Sequence, residues 1–458
     1  MTRTGQVRLI QRTTSNDLMA LATESAVAPM QVAAILVVDR LITVSALRVA
    51  LAERILAIPR LRQRLQRAPF GCGRPVWIDD ANFAMDRHVD ALACPAPGTE
   101  DALLAVAATA ATRPLPRDHP LWSLTLVTGL EGEKNAAILV IHHVLADGIG
   151  GLAALALLID GAPAHHKIPF PTPPPTRREL FADATTTRIR ALGHLPAGIR
   201  LALDAVAELR GGKVGRLARC TLNQPTGSRR QLAVARTDMA GMAAVAHARG
   251  ATINDVLLTA VAGSLAAVLR QRGESAETLV LSVPVSSRGE KVSTALGNHV
   301  GAMLVRVSTR GEPIPRLQEI ACTTRVRRQA VGRGASAILL APAFRMLRMG
   351  LFRWLVDRQR LVTTFVTNLS GFPSPLTLLG AVITDIIPIT AITGNVTVGF
   401  AALSYAGTFA VTVVADPERC PDLPFLVSEL QNQLTDLTAD RGYASTSARP
   451  VPEVFTHE

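Results

Sequence analysis

The sequence predicts an α/β protein of two halves that are joined by a proline-rich crossover. Strand-like and helix-like runs alternate from about residue 30 to 160, and strand-like runs return in the second half. Between the halves, six prolines fall within Ala162–Leu180. Such alternation is typical of sheets flanked by helices, and closely spaced prolines interrupt helices and sheet ladders alike. We therefore predict a first domain (1–161), a crossover (162–225) and a second domain (226–458).

The elements of the first half follow from the length and spacing of its apolar runs. Short, compact runs predict strands in MQVAAILVVD, PLWSLTLVTGL and AAILVIHH. Runs with helical spacing predict helices from about Thr43 to Leu56, in DALLAVAATAATR and in GIGGLAALALLID. The first half therefore reads as one α/β unit.

The second half is predicted from the same signals. Residues from about 178 to 212 are predicted to be helical, and ATINDVLLTAVAGSLAAVLRQRG predicts a long helix that begins near Thr252 or Asn254. TLVLSVPVSSR, FVTNLSG and FAVTVVADP are strand-like. Two uncharged stretches, 361–384 and 386–415, are long enough to cross a bilayer. Because glycines, prolines and asparagines break both, we predict buried strands there instead.

The composition excludes several classes of protein. With 48% hydrophobic residues, the chain is too apolar to be disordered throughout. Its five cysteines are far apart and form no CxxC pair, which predicts neither a disulfide framework nor a zinc module and favours a reducing compartment. The first residues contain no continuous apolar segment, so a secretory signal is not expected. We expect a cytoplasmic protein, either free or peripheral to the inner membrane or to lipid inclusions.

The net charge of +12 comes almost entirely from arginine, since only four of the 48 basic residues are lysine. Aromatic residues make up only 4% of the chain, and no clustered basic stripe suggests a nucleic-acid partner. Most of this charge is interpreted as a solvated surface. One stretch, Ala335–Arg360, interleaves arginines with Phe, Leu and Trp. It is either an interfacial helix on a lipid surface or an ordinary helix packed on the core.

One stretch, IHHVLADG, carries the candidate chemistry. A strand-like run ends on His142 and His143, and a short connection then leads to Asp147 and Gly148 at the start of a helix. Adjacent side chains of an extended backbone point to opposite faces, so we expect one imidazole to face a cavity and the other to face the structure behind it. Asp147 can fold back across the turn and fix the local geometry, and Gly148 removes a side chain where we expect backbones to crowd.

An imidazole at such a strand end suits general-base catalysis. Its ordinary pKa near ~6.5 allows it to accept and return a proton at neutral pH. The chain contains no G-x-S-x-G sequence, which favours direct transfer over a covalent acyl-enzyme. Two other hypotheses remain open: a metal site formed by His142, His143 and Asp147, and a protein that keeps the fold without turnover. A second pair, His165–His166, lies among the prolines and is assigned no role.

HHVLADG resembles the HHxxxDG motif of acyltransferases related to chloramphenicol acetyltransferase and to condensation domains. Further motifs narrow the resemblance to the bacterial wax ester synthase/diacylglycerol acyltransferase family. In chain order these are Pro29–Val32, Pro120–Trp122, Asn254–Asp255, Ser282–Ser286, Leu296–Asn298 with Ala302–Met303, Thr367–Asn368 with Gly371 and Pro373, and Leu403–Gly407. Two positions depart from the family pattern: Val144 replaces a small residue, and Phe372 interrupts the TNxPGP block.

The resemblance implies two domains like chloramphenicol acetyltransferase, with mixed sheets flanked by helices and a channel at their junction. It implies that His143 is the catalytic base, that His142 supports it, and that Asp147 is mainly architectural and pairs with an arginine. Asn254 and Gly148 become candidates for substrate binding or oxyanion stabilisation, the alternative for Asn254 being a helix N-cap. The segments Pro120–Trp122 (PLW) and Ser282–Pro284 (SVP) are expected to pack at the domain junction. Phe372 is expected to narrow the acyl pocket and so to affect the preferred acyl chain length.

These observations predict an acyl-CoA-dependent O-acyltransferase that esterifies diacylglycerol or a long-chain alcohol. Acyl-CoA is expected as a co-substrate and the lipid alcohol as acceptor, with no permanently bound cofactor, no metal and no nucleic-acid partner. Two alternatives remain: an acyltransferase of the same superfamily that acts on another alcohol, and a non-catalytic paralogue that binds lipid or acyl-CoA.

Overall fold

The computed structural model describes residues 10–161, 169–193, 220–286, 300–331, 354 and 356–439. Within these ranges the helices are α1 (Ser15–Thr23), α2 (Val44–Arg54), α3 (Glu100–Thr112), α4 (Gly148–Leu158), α5 (Arg177–Gly193), α6 (Met239–Ala248), α7 (Ile253–Gln271), α8 (Pro313–Val331) and α9 (Leu423–Ala439). The strands of the first half are β1 (Gln31–Val38), β2 (Gln63–Gln66), β3 (Val76–Asp79), β4 (Val89–Ala93), β5 (Trp122–Leu130) and β6 (Lys134–His142). Those of the second half are β7 (Gln231–Asp238), β8 (Thr278–Ser286), β9 (Val300–Ser308), β10 (Thr364–Leu369), β11 (Thr377–Leu378), β12 (Ala381–Ile389), β13 (Val398–Tyr405) and β14 (Thr408–Ala415).

The predicted mixed α/β architecture is confirmed by two six-stranded sheets that contain parallel and antiparallel pairs. The apolar runs of the first half form β1, β5 and β6, with α2, α3 and α4 between and after them. The two uncharged stretches form β10 to β14, as predicted, and most of their glycines and prolines lie between the strands, whereas Pro388 lies in β12 and Gly399 in β13. Of the predicted helix 178–212, α5 forms the first part, and residues 194–219 lie outside the described part of the chain.

The first sheet has the strand order β11-β12-β1-β6-β5-β4 and places β6 in its interior. β1 pairs with β6 antiparallel along its whole length, from Gln31 opposite His142 to Val38 opposite Asn135. β6 is buried from Asn135 to His142 because apolar side chains cover both faces of the sheet. A strand covered on both faces reads as a continuous apolar run, which is why AAILVIHH shows no alternation.

A strand from the second half completes the first sheet. β12 pairs antiparallel with β1, with Ala33 opposite Ile389 and Val37 opposite Asp385, and β11 adds a short edge strand to β12. Residues 377–389 therefore belong to the sheet that carries the HH motif, although they lie more than 200 residues further along the chain. The domain bounds remain a prediction. The sheet topology shows in addition that residues 377–389 of the second half complete the first sheet.

The second sheet has the order β7-β14-β13-β10-β8-β9 and packs against a buried helix, α7. α7 begins with the N-cap Thr252 and is followed by Gly273 at φ 71°, so its predicted limits are confirmed. Among the described residues, α7 is the one helix long and apolar enough to span a bilayer, and 83% of its apolar window is buried inside the protein. This burial is typical of a core helix.

The segment Ala335–Arg360 lies outside the described residues except for Trp354 and residues 356–360. Trp354 is half exposed, and the guanidinium of Arg358 lies 5.2 Å from the centre of its ring. The interfacial-helix hypothesis therefore remains a prediction. The LGN block, residues 296–298, also lies outside the described part of the chain.

Tyr405 joins the two sheets by buried hydrogen bonds. Its hydroxyl donates to the carbonyl oxygen of Ile383 in β12 at 2.7 Å and accepts from the N–H of Leu376 at 2.8 Å. The side chain is 3% exposed; the bond to Ile383 is buried, and the bond from Leu376 is partly buried. Tyr405, which lies in the LSYAG block (Leu403–Gly407), thus connects the end of β13 to β12 and to the residue before β11.

We predict that Tyr405→Phe lowers the free energy of unfolding by about 1–3 kcal/mol, since it removes the hydroxyl that partners one buried and one partly buried main-chain group. Urea denaturation measures this difference. Thr435→Val, which removes an exposed hydroxyl from α9, is the control and should shift the free energy of unfolding by less than ~0.5 kcal/mol. Equal effects of the two substitutions would contradict the assignment of Tyr405.

Candidate active site

The two histidines lie where β6 ends and the chain turns towards α4. His142 is the last residue of β6, opposite Gln31 of β1, and the N–H of His143 donates to the carbonyl oxygen of Met30 at 2.7 Å. By strand alternation, His142 shares the face of Val140 and Ile138, which pack in the same core cluster as α3. His142 is 1% exposed, whereas His143 is partly exposed. The predicted division into one inward and one accessible imidazole is consistent with this burial.

Both ring nitrogens of His142 are hydrogen-bonded. Nδ1 accepts from the N–H of Val144 at 3.0 Å, so the ring proton lies on Nε2, which donates to Oε1 of Glu24 at 3.1 Å. The other carboxylate oxygen of Glu24 accepts from Arg117. Burial, together with the charge of Arg117, lowers the pKa of His142 to about 3. His142 is therefore neutral at physiological pH and holds the turn that follows it.

His143 has a different environment. Burial lowers its pKa below the ordinary value, while a hydrogen bond to its own main chain and the charge of Asp147 act in the opposite direction. Of the two ring nitrogens, only Nδ1 is close enough to Cα to reach the carbonyl oxygen of the same residue. Nε2 is then the unprotonated nitrogen of the neutral ring. This tautomer gives His143 a basic atom at the far end of the ring.

Asp147 caps the helix that follows the motif. It is 1% exposed and has extended backbone angles, and its carboxylate accepts from the N–H of Gly150 at 2.8 Å. α4 begins at Gly148, as the Asp-Gly pair predicts. The cap fixes the direction in which the chain leaves the turn, and the charge of Asp147 is close enough to raise the pKa of His143. The predicted arginine partner of Asp147 remains a prediction.

Gly148 lies at a contact between the two halves. A β-carbon at this position would lie 3.0 Å from Cδ2 and 3.2 Å from Cδ1 of Leu369, the last residue of β10. The crowding involves a side chain of the second half rather than backbone, so the predicted backbone crowding is wrong in that detail. The HHVLADG and TNLSG blocks, separated by more than 200 residues in sequence, therefore meet at the junction.

The TNLSG block is itself held by the LSYAG block. The N–H of Gly371 donates to Oγ of Ser404 at 3.1 Å, and a β-carbon on Gly371 would lie 2.1 Å from the carbonyl oxygen of Ser404. The N–H of Ala406 donates to the carbonyl oxygen of Phe372 at 2.9 Å. Phe372 packs against the core cluster of the first half, and its predicted effect on an acyl pocket remains a prediction.

Asn254 is not the cap of α7. Thr252 is the N-cap, and it forms a capping box with Asp255, whose carboxylate also accepts from the hydroxyl of Thr324 in α8. The N-cap alternative for Asn254 is therefore wrong, because the residue two positions earlier fills that role. Asn254 is half-buried in the first turn of α7. Its predicted role beside the substrate remains a prediction.

The PLW and SVP segments each contribute to a core cluster. The indole N–H of Trp122 donates to the carbonyl oxygen of Leu61 at 2.7 Å, and its ring stacks on His88. Val283 belongs to the core cluster of the second sheet. Leu121 and Trp122 belong to a core cluster that also contains Leu403 and Tyr405 of the second half, and the expected junction packing of these segments remains a prediction. The PLW segment also supports the motif strand, since the N–H of His142 donates to the carbonyl oxygen of Leu121 at 3.0 Å.

A small open cleft lies between the halves, beside the start of β1. Gln31, Arg230 and Leu232 line it, together with α3 and residues 389–392. Gln31 is paired with His142, but neither histidine lines the cleft. This cleft does not reach His143, and the channel implied by the resemblance remains a prediction.

The geometry bears on the metal hypothesis. Both nitrogens of His142 are occupied by Glu24 and Val144, and an oxygen of Asp147 is occupied by Gly150. A metal bound by His142, His143 and Asp147 would have to break these bonds. Among the residues that the structure describes, no three His, Cys, Asp or Glu side chains form a metal-binding group.

Sequence reasoning missed Glu24 and Arg117. Glu24 lies 118 positions before His142 and ends α1, where its carboxylate has no local motif to mark it. The one available signal is chemical, because a buried imidazole requires a hydrogen-bond acceptor. That requirement predicts an acceptor but not its position in the sequence.

Two family models match the chain. The wax ester synthase/diacylglycerol acyltransferase catalytic domain matches residues 14–257, and the WS/DGAT C-terminal domain matches residues 296–438. Proteins named diacylglycerol O-acyltransferases from Mycobacterium bovis and Mycobacterium tuberculosis are each 31% identical over 404 residues, which cover 85% of this chain and 87% of the relative.

Solved structures share the fold at lower identity. A wax ester synthase/diacylglycerol acyltransferase from Marinobacter aquaeolei has a TM-score of 0.68 at 22% identity and covers 94% of this chain and 100% of its own. The first condensation domain of the calcium-dependent antibiotic synthetase has a TM-score of 0.64 at 19% identity, covering 94% and 97%. A starter condensation domain of rhizomide synthetase, solved with C8-CoA, has a TM-score of 0.61 at 15% identity, covering 94% of each chain. The two-domain architecture predicted from the motifs is thereby confirmed.

We predict that Glu24→Ala lowers kcat about ten- to hundredfold and changes KM little, because an unsupported His142 lets the turn carrying His143 move. Glu24→Gln keeps an acceptor for Nε2–H and should restore most of kcat. Steady-state kinetics with both variants check this, and Glu131→Ala, an exposed glutamate between β5 and β6, is the control. Equal kcat in wild type and Glu24→Ala would refute the positioning role.

Gly148→Ala and Gly151→Ala form a matched pair on one helix. A β-carbon at Gly151 meets nothing within 4 Å, whereas one at Gly148 meets Leu369. We expect Gly151→Ala to stabilise the protein by up to about 1 kcal/mol through helix propensity. Gly148→Ala should reduce activity, and adding Leu369→Val should recover it. If the two single variants retain equal activity, the close contact at Gly148 does not matter for the site.

Proposed function

The chain belongs to the wax ester synthase/diacylglycerol acyltransferase family, and we propose that it transfers the acyl group of acyl-CoA to the hydroxyl of a diacylglycerol or a long-chain alcohol. It is an acyltransferase by family. The relatives' printed names support diacylglycerol as acceptor, and the C8-CoA bound to a structural neighbour supports a CoA thioester as donor.

The observation that carries this proposal is the pair of histidines with opposite environments. His142 uses both ring nitrogens in hydrogen bonds within the protein, whereas His143 is partly exposed, and its Nε2 is the proposed basic atom. Since burial lowers the pKa of His143, its ring is neutral at pH 7 and can accept a proton. A base of this kind contributes ~10²–10⁴-fold to a rate.

The proposed reaction needs no covalent enzyme intermediate. Nε2 of His143 removes the proton of the acceptor hydroxyl while its oxygen attacks the thioester carbon. The tetrahedral intermediate then expels the thiolate of CoA, which receives the proton from His143, so that an ester and free CoA leave the site. The amide of Asn254 and the N–H of Gly148 are the proposed donors to the developing oxyanion. Asn254 is available for this because Thr252 caps α7.

We further propose that acyl-CoA and the lipid alcohol are the partners and that the protein needs neither a resident cofactor nor a metal. Its expected place is the cytoplasm, at the surface of the inner membrane or of lipid inclusions, because a diacylglycerol acceptor is confined to such surfaces. This location agrees with the burial of α7 inside the protein.

We expect His143→Ala to reduce acceptor-dependent release of CoA from palmitoyl-CoA about 10²–10⁴-fold. In wild type, kcat/KM should rise with pH through the pKa of His143 and level off above it, with a midpoint below 6.5 because burial disfavours the charged ring. Free CoA is followed with a panel of alcohols. His119→Ala, at a partly exposed histidine outside the motif, is the control.

Two outcomes of this assay would contradict the proposal. CoA release that survives His143→Ala would exclude the base. Acyl-CoA binding without release for any acceptor would favour the non-catalytic paralogue, and release with an alcohol other than diacylglycerol or a long-chain alcohol would change the acceptor class.

A further inference from the structure

We propose that the turn at Phe70 and the outer face of α5 form a docking surface for an anionic lipid bilayer, called here the Phe70 surface. It consists of residues 64–74 and α5. This inference rests on the proposed function, because a lipid-surface acceptor requires the protein to reach that surface. It concerns a different part of the chain from Ala335–Arg360.

The turn presents Phe70 to solvent in a fixed position. The N–H of Cys72 donates to the carbonyl oxygen of Pro69 at 3.0 Å, and Gly71 has φ 81°, which places Phe70 and Gly71 at the centre of a β-turn. Phe70 is 100% exposed, whereas Cys72, two residues later, is 1% exposed. The guanidinium of Arg12 donates to the carbonyl oxygens of Cys72 and Arg74 and ties the base of the turn to the fold.

A second aromatic ring lies beside this turn. A β-carbon at Gly71 would lie 3.9 Å from Cε2 of Phe181 on α5. α5 packs on the protein through Leu180 and Ala184, both buried, while Phe181 and Ile189 are 55% and 63% exposed. The inner face of α5 is thus buried against the protein, whereas its outer face adds exposed apolar area next to Phe70.

The charge around these apolar side chains is strongly positive. Residues 64–74 and α5 contain seven arginines against two carboxylates, a net charge of +5. Both carboxylates have partners within the protein: Glu179 accepts from Thr176, and Asp183 pairs with Arg12 at 2.6 Å. The exposed arginines are Arg67, Arg177, Arg178, Arg188 and Arg190.

This combination fits a lipid surface better than a protein groove. Phe70 protrudes from a tight turn, and a protruding ring inserts readily into the deformable headgroup region of a bilayer. Arginines around it add attraction to anionic phospholipids and little to neutral ones. A protein partner would have to offer a preformed pocket for Phe70 and an acidic rim.

The test measures flotation of the full-length protein with vesicles of phosphatidylcholine alone and with 30% phosphatidylglycerol. We expect binding to the anionic vesicles and weak binding to the neutral ones. Phe70→Ala and Phe181→Ala should each weaken vesicle binding about tenfold, and Arg188→Glu about fivefold or more, with a larger effect at low salt.

Matched controls lie elsewhere on the surface. Leu92→Ala removes another exposed apolar side chain, and Arg419→Glu makes the same charge change on the second half. Both should leave vesicle binding within about twofold of wild type. The Phe70 surface is not a bilayer site if Phe70→Ala binds vesicles as wild type does, or if phosphatidylglycerol does not increase vesicle binding by wild type. A protein partner then becomes the better occupant.

A second measurement separates this proposal from the proposed function. With palmitoyl-CoA and detergent-dispersed diacylglycerol, Phe70→Ala should release CoA at the wild-type rate, whereas with diacylglycerol in anionic vesicles its rate should fall about as much as its binding. Loss of activity in detergent as well would mean that Phe70 acts on the fold or the site. Wild-type protein that binds vesicles but releases no CoA would contradict the proposed function and leave the Phe70 surface standing.

Discussion

A neutral imidazole held at both nitrogens organises the end of β6. His142 stays neutral at physiological pH and forms two hydrogen bonds: Nδ1 accepts from the N–H of Val144, and Nε2 donates to the carboxylate of Glu24. The first bond sets the turn, and the second anchors that turn to α1. These two bonds fix the backbone on both sides of His143, because His143 lies between His142 and Val144. Two identical side chains thus have different roles because their surroundings differ.

The features of the site that are local in sequence could be predicted. The alternation of a strand separates His142 from His143, the Asp-Gly pair starts α4, and the apolar runs give β1, β5 and β6. These inferences succeed because period, capping and turn chemistry act over a few residues. The order of the further motifs along the chain then indicates the family, which the domain matches establish.

The features that depend on distant contacts could not be predicted. Glu24 has no marker near it, and the neighbour that excludes a side chain at Gly148 is Leu369, far along the chain. Asn254 shows a different failure: two residues near a helix start, Thr252 and Asn254, both suit a cap, and only the backbone geometry selects Thr252.

The strand that crosses from the second half into the first sheet has a consequence for biosynthesis. While a ribosome is still making residues 162–376, β1 has β6 on one side and an open edge on the other, because β12 has not yet been made. The sheet that bears both histidines closes only after residue 389 has left the exit tunnel. The first half alone therefore cannot complete this sheet, and the full pairing of β1 requires both halves of the chain.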